Sequence, residues 1–467
     1  MGSNPTSTAS THTEGRAVLS WARRRPRMRR GAGCMYNQSC EENEVLEPQG
    51  TAFFLVLMVV FGGLVVWLVI AKQVVFRVLA ACLAFVPAML FGVAAVNKYY
   101  DYYQTWGSVA ADFTNQGVAA LPKVPQLGNS SRKAIDLVLG LSPNLRAAAA
   151  QTGIVFQTKI SAPRLKITRV VYIYLPPQYF QSKYAHYRFP VIELLHGSPG
   201  NPQQWIDAMN VVPTMEDLLA SHQAQPAVLV MPDNDGNVKY SLQCLNGIGL
   251  PQEATYLAVD VPNYIAAHLQ VQPPGRAWGV AGLSEGGFCA ANLALQYPSR
   301  YGYAGSMSGY FRPFADQVPK NGRPGAPIIY RSPFPGHPAL LQRNTPQSYI
   351  NHISPSIELP QFWLSVGRLD SQYVAAAESF RQELQLRQAV VPLVIIPGKH
   401  DATAWRAALS PMLSWMTPQL DHQAKLANAA LGASERAKAK ANAQKEARSH
   451  ITPPGGVPGT IKNPAKK

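Results

Sequence analysis

Trp278-Gly279-Val280-Ala281-Gly282-Leu283-Ser284-Glu285-Gly286-Gly287 is the stretch on which the fold turns. An apolar run of strand character passes through Gly-x-Ser-x-Gly and on into Ala290-Ala291-Asn292-Leu293-Ala294-Leu295, which reads as a helix. A serine between strand and helix in that pattern sits on a sharp turn that lifts its hydroxyl clear of the sheet. The flanking glycines are needed because a side chain at either place would strike the neighbouring strand or helix. Five residues of this kind recur by chance. The strand before and the helix after carry the weight.

A nucleophilic serine on such an elbow is followed along the chain by an acid and then a histidine, each at the end of a later strand. Gln361-Phe362-Trp363-Leu364-Ser365-Val366-Gly367 reads as a buried strand and runs into Arg368-Leu369-Asp370. Val391-Pro392-Leu393-Val394-Ile395-Ile396-Pro397 reads as the next, and ends in Gly398-Lys399-His400 before a helical stretch over 403–416. Carboxyl ends of parallel strands are where open α/β sheets place ligands. The expected triad is Ser284, Asp370 and His400, as nucleophile, orienting acid and base. The competing reading of Asp370 is a cap for the following helix, and that of His400 a surface loop residue. Asp401 is the weaker candidate for the acid, because neighbours at a strand end point different ways.

Two backbone N–H groups are required for a developing oxyanion. One is expected from Glu285. The other is expected from the loop His196-Gly197-Ser198-Pro199-Gly200, which follows the apolar run Pro190–Leu195. Pro199 has no N–H to give, leaving Gly197 or Ser198, with Ser198 favoured. His196 reads as a support for this loop rather than a second base.

Arg169-Val170-Val171-Tyr172-Ile173-Tyr174-Leu175-Pro176-Pro177, the His196-Gly197 loop, Gly282-Leu283-Ser284-Glu285-Gly286-Gly287, Ser308-Gly309-Tyr310-Phe311 and Gly398-Lys399-His400-Asp401 with Trp405 resemble the Putative esterase family. It groups esterase-D-like enzymes, feruloyl esterases and secreted mycolyltransferases. The resemblance covers about residues 153–415. It implies the α/β-hydrolase fold, the triad Ser284, Asp370 and His400, and Ser198 with Glu285 as oxyanion donors. Met231-Pro232-Asp233-Asn234-Asp235-Gly236 departs from the feruloyl esterase pattern, so no substrate is carried over. Strands near Val155, Val171, Val191, Val228, Val280, Gly305, Leu364 and Val394 alternate with helices near Glu216, Tyr264, Ala291 and Ala377. That alternation predicts a mostly parallel sheet with helices on both faces. Residues 312–352, rich in Pro, Gly and Arg, are expected to form a wall or lid over the active-site face.

Residues 51–71 form an apolar run without a charge, and 78–96 form a second. Each is long enough to cross the hydrocarbon core of a bilayer as a helix, and together they predict a transmembrane hairpin. A cleaved signal peptide would have a shorter apolar region and a small-residue cleavage site. Lys72 and Arg77 in the connector, with Glu41, Glu42, Glu44 and Glu47 upstream, put the connector in the cytoplasm and the catalytic domain outside the membrane. The cluster Arg23-Arg24-Arg25-Pro26-Arg27-Met28-Arg29-Arg30 opposes that orientation, unless synthesis starts at Met35. Tyr99, Tyr100, Tyr102, Tyr103 and Trp106 look like an interfacial aromatic belt.

The expected organisation is a basic, disordered segment (1–50), the hairpin (51–97), a stalk with some helix (98–151), the catalytic domain (152–418) and a basic Ala-, Lys- and Pro-rich tail (419–467), disordered or partly helical. The net charge is +16, but residues 1–34 and 421–467 each contribute +6. Charge confined to the ends argues against a nucleic-acid partner. The expected partners are an ester substrate and, through the hairpin, membrane lipid. Five cysteines define no framework, although Cys244 and Cys289 are able to pair in an oxidising compartment. No zinc or calcium spacing appears, so no metal and no cofactor is expected. The leading function is a serine esterase working through an acyl-enzyme. Beside it stand an acyltransferase of mycolyltransferase type and a catalytically silent anchored binding domain.

Overall fold

The computed structural model describes residues 47–100, 106, 109, 126–127, 140–236, 241–313 and 332–449. The basic N-terminal cluster, Cys34, Cys40, Tyr102 and Tyr103 lie outside these residues, as do 314–331 of the proline-rich segment and 450–467.

Two helices open the described chain, α1 (Thr51–Ile70) and α2 (Val74–Tyr100). Their mean hydropathies reach 3.0 and 2.4, and both are long and apolar enough to cross a membrane. Ala80, Ala84 and Ala94 are buried, whereas Val59, Phe85 and Val93 are exposed. The turn between the helices is shorter than the sequence reading has it. Arg77 belongs to α2, and its Nε–H donates to the Ala71 carbonyl at 2.7 Å, so Lys72 is the charged residue left in the connector Ala71-Lys72-Gln73. Of the proposed aromatic belt, Trp106 has its ring edge-on to Phe53, with centroids 5.1 Å apart.

The rest is built on one sheet of nine strands in the order β1-β2-β3-β5-β4-β6-β7-β8-β9. The strands are β1 (Gln126–Leu127), β2 (Ile154–Ala162), β3 (Ile167–Leu175), β4 (Val191–Leu195), β5 (Val228–Pro232), β6 (Gly275–Leu283), β7 (Tyr301–Met307), β8 (Gln361–Gly367) and β9 (Leu393–Ile396). The β2–β3 and β3–β5 pairings are antiparallel and the others parallel. β4, β5 and β7 are buried at every position, as expected of strands covered on both faces. One core layer gathers Phe156, Val191, Trp278, Phe288 and Phe362, and the other Trp205, Leu229, Ala281, Trp363 and Met412. The longer covering helices are α3 (Pro143–Thr152), α4 (Val211–Ala220), α5 (Val261–His268), α6 (Glu285–Gln296), α7 (Ser371–Leu386) and α8 (Ala402–Ser449).

Two boundaries differ from the expectation. The segment read as a stalk supplies β1, which pairs with β2, and α3, whose Ala149 is buried in the core. At the other end no tail begins at 419. Helix α8 runs on to Ser449, with Leu420 and Ala424 fully buried and Asp421 accepting the Tyr187 hydroxyl at 2.6 Å. Alanine-rich sequence favours helix, and a few apolar residues on one side suffice to dock its start. The described part of 312–352 is anchored to the helix after the elbow: Tyr349 donates its hydroxyl to Asn292 Oδ1 at 2.7 Å, and Gln296 donates to Asn344 Oδ1 at 2.9 Å.

Candidate active site

Ser284 follows β6 directly and occupies the N-cap of α6 with φ 52° and ψ −117°. That conformation is costly for a residue with a side chain, so the surroundings must hold it. Its N–H donates to the Met307 carbonyl on β7 at 2.8 Å, and its carbonyl accepts from Gly287 and Phe288 at 3.0 and 3.2 Å. The two glycines of the motif allow the close approach. A methyl group on Gly282 would lie 2.1 Å from the Gly286 oxygen, and one on Gly286 would lie 2.1 Å from the Leu195 oxygen.

Asp370 stands after β8 and His400 after β9, and the fold brings both to the serine. His400 Nδ1 donates to Asp370 Oδ2 at 2.6 Å, and its Nε2 lies 2.9 Å from Ser284 Oγ. The carboxylate partner keeps the proton on Nδ1, which leaves the Nε2 lone pair for the serine hydroxyl. Ser284 and Asp370 are buried, while the His400 side chain is 27% exposed. Tyr373 tilts over the imidazole at 4.4 Å between centroids, and Trp405 meets it edge-on at 5.2 Å. Burial, and then the Asp370 charge, push the Tyr373 phenol up to about 12, so it stays neutral beside the triad. Asp370 does stand at the N-cap of α7, but its side chain makes no capping bond. Asp401 takes that kind of role instead, accepting the Ala404 N–H at the start of α8 at 3.0 Å.

The loop after β4 lies against the elbow, since a methyl on Gly197 would come within 3.4 Å of Ser284 Cβ. The N–H of Gly197 donates to Gln204 Oε1 at 3.0 Å and is thereby engaged within the loop. His196 is fully buried and engaged at both ring nitrogens: Nδ1–H donates to the Gly197 carbonyl at 2.9 Å, and Nε2 accepts the Asn234 N–H at 3.1 Å. The Asn234 amide in turn accepts the His196 N–H at 2.9 Å. Sequence reasoning missed Gln204 and Asn234. Asn234 lies in the polar run after β5 already marked as a departure from the feruloyl esterases, which was the available signal. Cys244 and Cys289 form a disulfide that ties the loop before α5 to the helix after the elbow.

Residues 162–416 match the family described as Putative esterase. The chain belongs to that family. Among its relatives, an uncharacterized protein of Corynebacterium glutamicum is 28% identical over 247 residues, covering 51% of this chain and 52% of that one. The MPT51/MPB51 antigen of Mycobacterium tuberculosis is 40% identical over 65 residues, covering 14% and 21%. The diacylglycerol acyltransferase/mycolyltransferase Ag85B of Mycolicibacterium smegmatis is 40% identical over 68 residues, covering 15% and 20%. The chain thus spans about half the length of the first of these relatives, and less of the others. Among solved structures, a ferulic acid esterase superposes with a TM-score of 0.48 at 20% identity, covering 57% of this chain and 99% of that one.

Proposed function

We propose that this member of the esterase family is a membrane-anchored serine hydrolase that cleaves carboxylic esters through an acyl-enzyme. The unbroken chain of hydrogen bonds from Asp370 through His400 to Ser284, on a strained elbow, carries the reading. Ser284 Oγ attacks the ester carbonyl as His400 Nε2 takes its proton, and Asp370 balances the imidazolium. The carbonyl oxygen becomes an oxyanion received by the N–H groups of Ser198 and Glu285. Collapse expels the alkoxide, which takes the proton from His400 Nε2. Water then attacks the acyl-enzyme by the same route, releasing the acid and restoring Ser284.

A second reading, acyl transfer to an alcohol, is favoured by the local identity with a mycolyltransferase. It differs only in whether water or a hydroxyl reaches the intermediate. Helices α1 and α2 would anchor the enzyme. Lys72 in their connector and the Cys244–Cys289 disulfide both favour a catalytic domain outside the cytoplasm.

The test is fluorophosphonate labelling of the full-length chain in detergent micelles. Labelling of the wild type but not of Ser284→Ala establishes the activated serine. A folded wild type that does not label leaves the silent binding domain as the better account. With an ester substrate and an added sugar or lipid alcohol, a new ester rather than free acid decides for transfer. Protease protection in intact cells checks orientation, since a cytoplasmic catalytic domain would stay uncut.

A further inference from the structure

We infer that Asp235 and Glu285 are positioning residues for this reaction, joined by one shared proton beneath the nucleophile elbow. The inference rests on the reading of the site given above. Glu285 immediately follows Ser284 and opens α6, and its backbone N–H is one proposed oxyanion donor. Its side chain is nevertheless fully buried, and Asp235, in the loop after β5, is 6% exposed. The two carboxyl groups lie within hydrogen-bonding reach of each other. Two ionised carboxylates repel strongly in so dry a place, whereas one proton between them makes a short, charge-assisted bond.

The neighbourhood assigns the proton to Glu285. Burial, and then the adjacent Asp235, hold its carboxyl far above the usual range. Burial also raises Asp235, against the bond from Glu285, which favours its charged form. The facing groups come from several elements. His196 follows β4, and Asp233 precedes the pair in the β5 loop, 3.5 Å from His196 Nε2. Arg169 on β3 is buried in a two-pronged bond to Glu253 and donates to the Asp233 carbonyl, and its charge also favours the ionised form of Asp235. The Ser241 hydroxyl and the Gln243 N–H approach Glu285. Cys244 and Cys289 adjoin it as a disulfide. Among the described residues, none completes a well-formed hydrogen bond to either Glu285 oxygen, and none donates to Asp235 Oδ1. The contact between the two carboxyls answers both deficits.

The described part of the loop that carries Asp235 is held by its own hydrogen bonds. Asp233 Oδ1 accepts the N–H groups of Asp235 and Gly236 at 3.1 and 2.7 Å. Gly236 turns with φ 67° against Arg169, where a methyl group would come within 2.9 Å of Nε. Asn234, next to Asp235, clasps His196 and with it the loop that presents Ser198. The shared proton therefore binds one half of the oxyanion site to the other. Its loss sets two like charges between them.

The full-length chain in detergent micelles, assayed with a chromogenic short-chain ester across pH, tests this. In the wild type kcat should fall on the alkaline side by about a hundredfold, the scale of a lost oxyanion donor, while KM holds. Glu285→Gln, whose amide donates to Asp235 at any pH, should lack that alkaline limb. Glu285→Ala should be about a hundredfold slower throughout. Thermal unfolding gives a readout that needs no catalysis. A raised carboxyl contributes stability below the ordinary glutamic acid range that is lost as pH rises through the folded value. The Tm of Glu285→Gln should therefore gain on the wild type as pH rises. A Tm gap independent of pH, or an alkaline limb kept in Glu285→Gln, would overturn the inference. Failure of the wild type to label at Ser284 would overturn the proposed function instead, and the Tm gap would still decide the shared proton.

Discussion

The loops after β4 and β9 each carry a histidine near the elbow, and the two have opposite surroundings. His196 is fully buried with both nitrogens bonded to backbone, so its imidazole has no lone pair or proton left for chemistry. His400 is partly open and is bonded to a carboxylate on one side and a serine hydroxyl on the other. Residue type and strand-end placement are shared. The partners differ: under the proposed function they suit His400 to moving protons and His196 to holding a loop.

The sharpest way to break the contrast is at its catalytic end. His400→Ala should lower kcat for ester cleavage by about 10⁴-fold or more, with little change in Tm. Asp370→Asn keeps the shape but reverses the hydrogen bond, and about 10⁴-fold is the expected loss, read from kcat at neutral pH. At the structural end the order of effects should invert. His196→Ala leaves the Asn234 N–H and the Gly197 carbonyl unpaired in a dry site, at about 2 kcal/mol, or about 4–8 °C in Tm. Its labelling rate should fall far less than that of His400→Ala. Equal losses of labelling in the two variants would erase the distinction drawn here.

A smaller effect separates the sheet interior from the site. Glu193 on β4 is fully buried, accepts the Tyr301 hydroxyl at 2.8 Å, and is pushed up to about 8 by burial. It is therefore largely protonated at neutral pH. A raised carboxyl stabilises the fold most below its unfolded value, and that contribution drains away as pH rises from about 4.5 to about 8. Glu193→Gln should make the decline of Tm over that window shallower without altering the pH course of fluorophosphonate labelling. Glu253, pushed up to about 7 by burial, contributes a slope of the same sign and should retain it in that variant.

Much of the site was legible along the chain because each triad residue ends a strand whose apolar character is local. The same holds for β2 to β9 and for the two apolar helices, where local composition and apolar length carry the reading. The Asn234–His196 clasp, the Gln204 bond to Gly197 and the Asp235–Glu285 contact were not legible. Each joins groups on different loops, and nothing in the local pattern says which loops the sheet order makes neighbours. The continuation of α8 past residue 419 was missed for a related reason. An Ala- and Lys-rich stretch reads as a solvated tail until Leu420 and Ala424 are seen against the core.

The sequence by itself determined the elbow, the order of the triad and the pair of apolar spans, because those depend on residue type, strand ends and uninterrupted apolar length. Only the tertiary structure decided that His400 meets both Asp370 and Ser284, that Asp401 caps a helix while Asp370 bonds the imidazole, and that Cys244 meets Cys289. Those are matters of distance and direction. They exist only once strands far apart in the chain lie side by side.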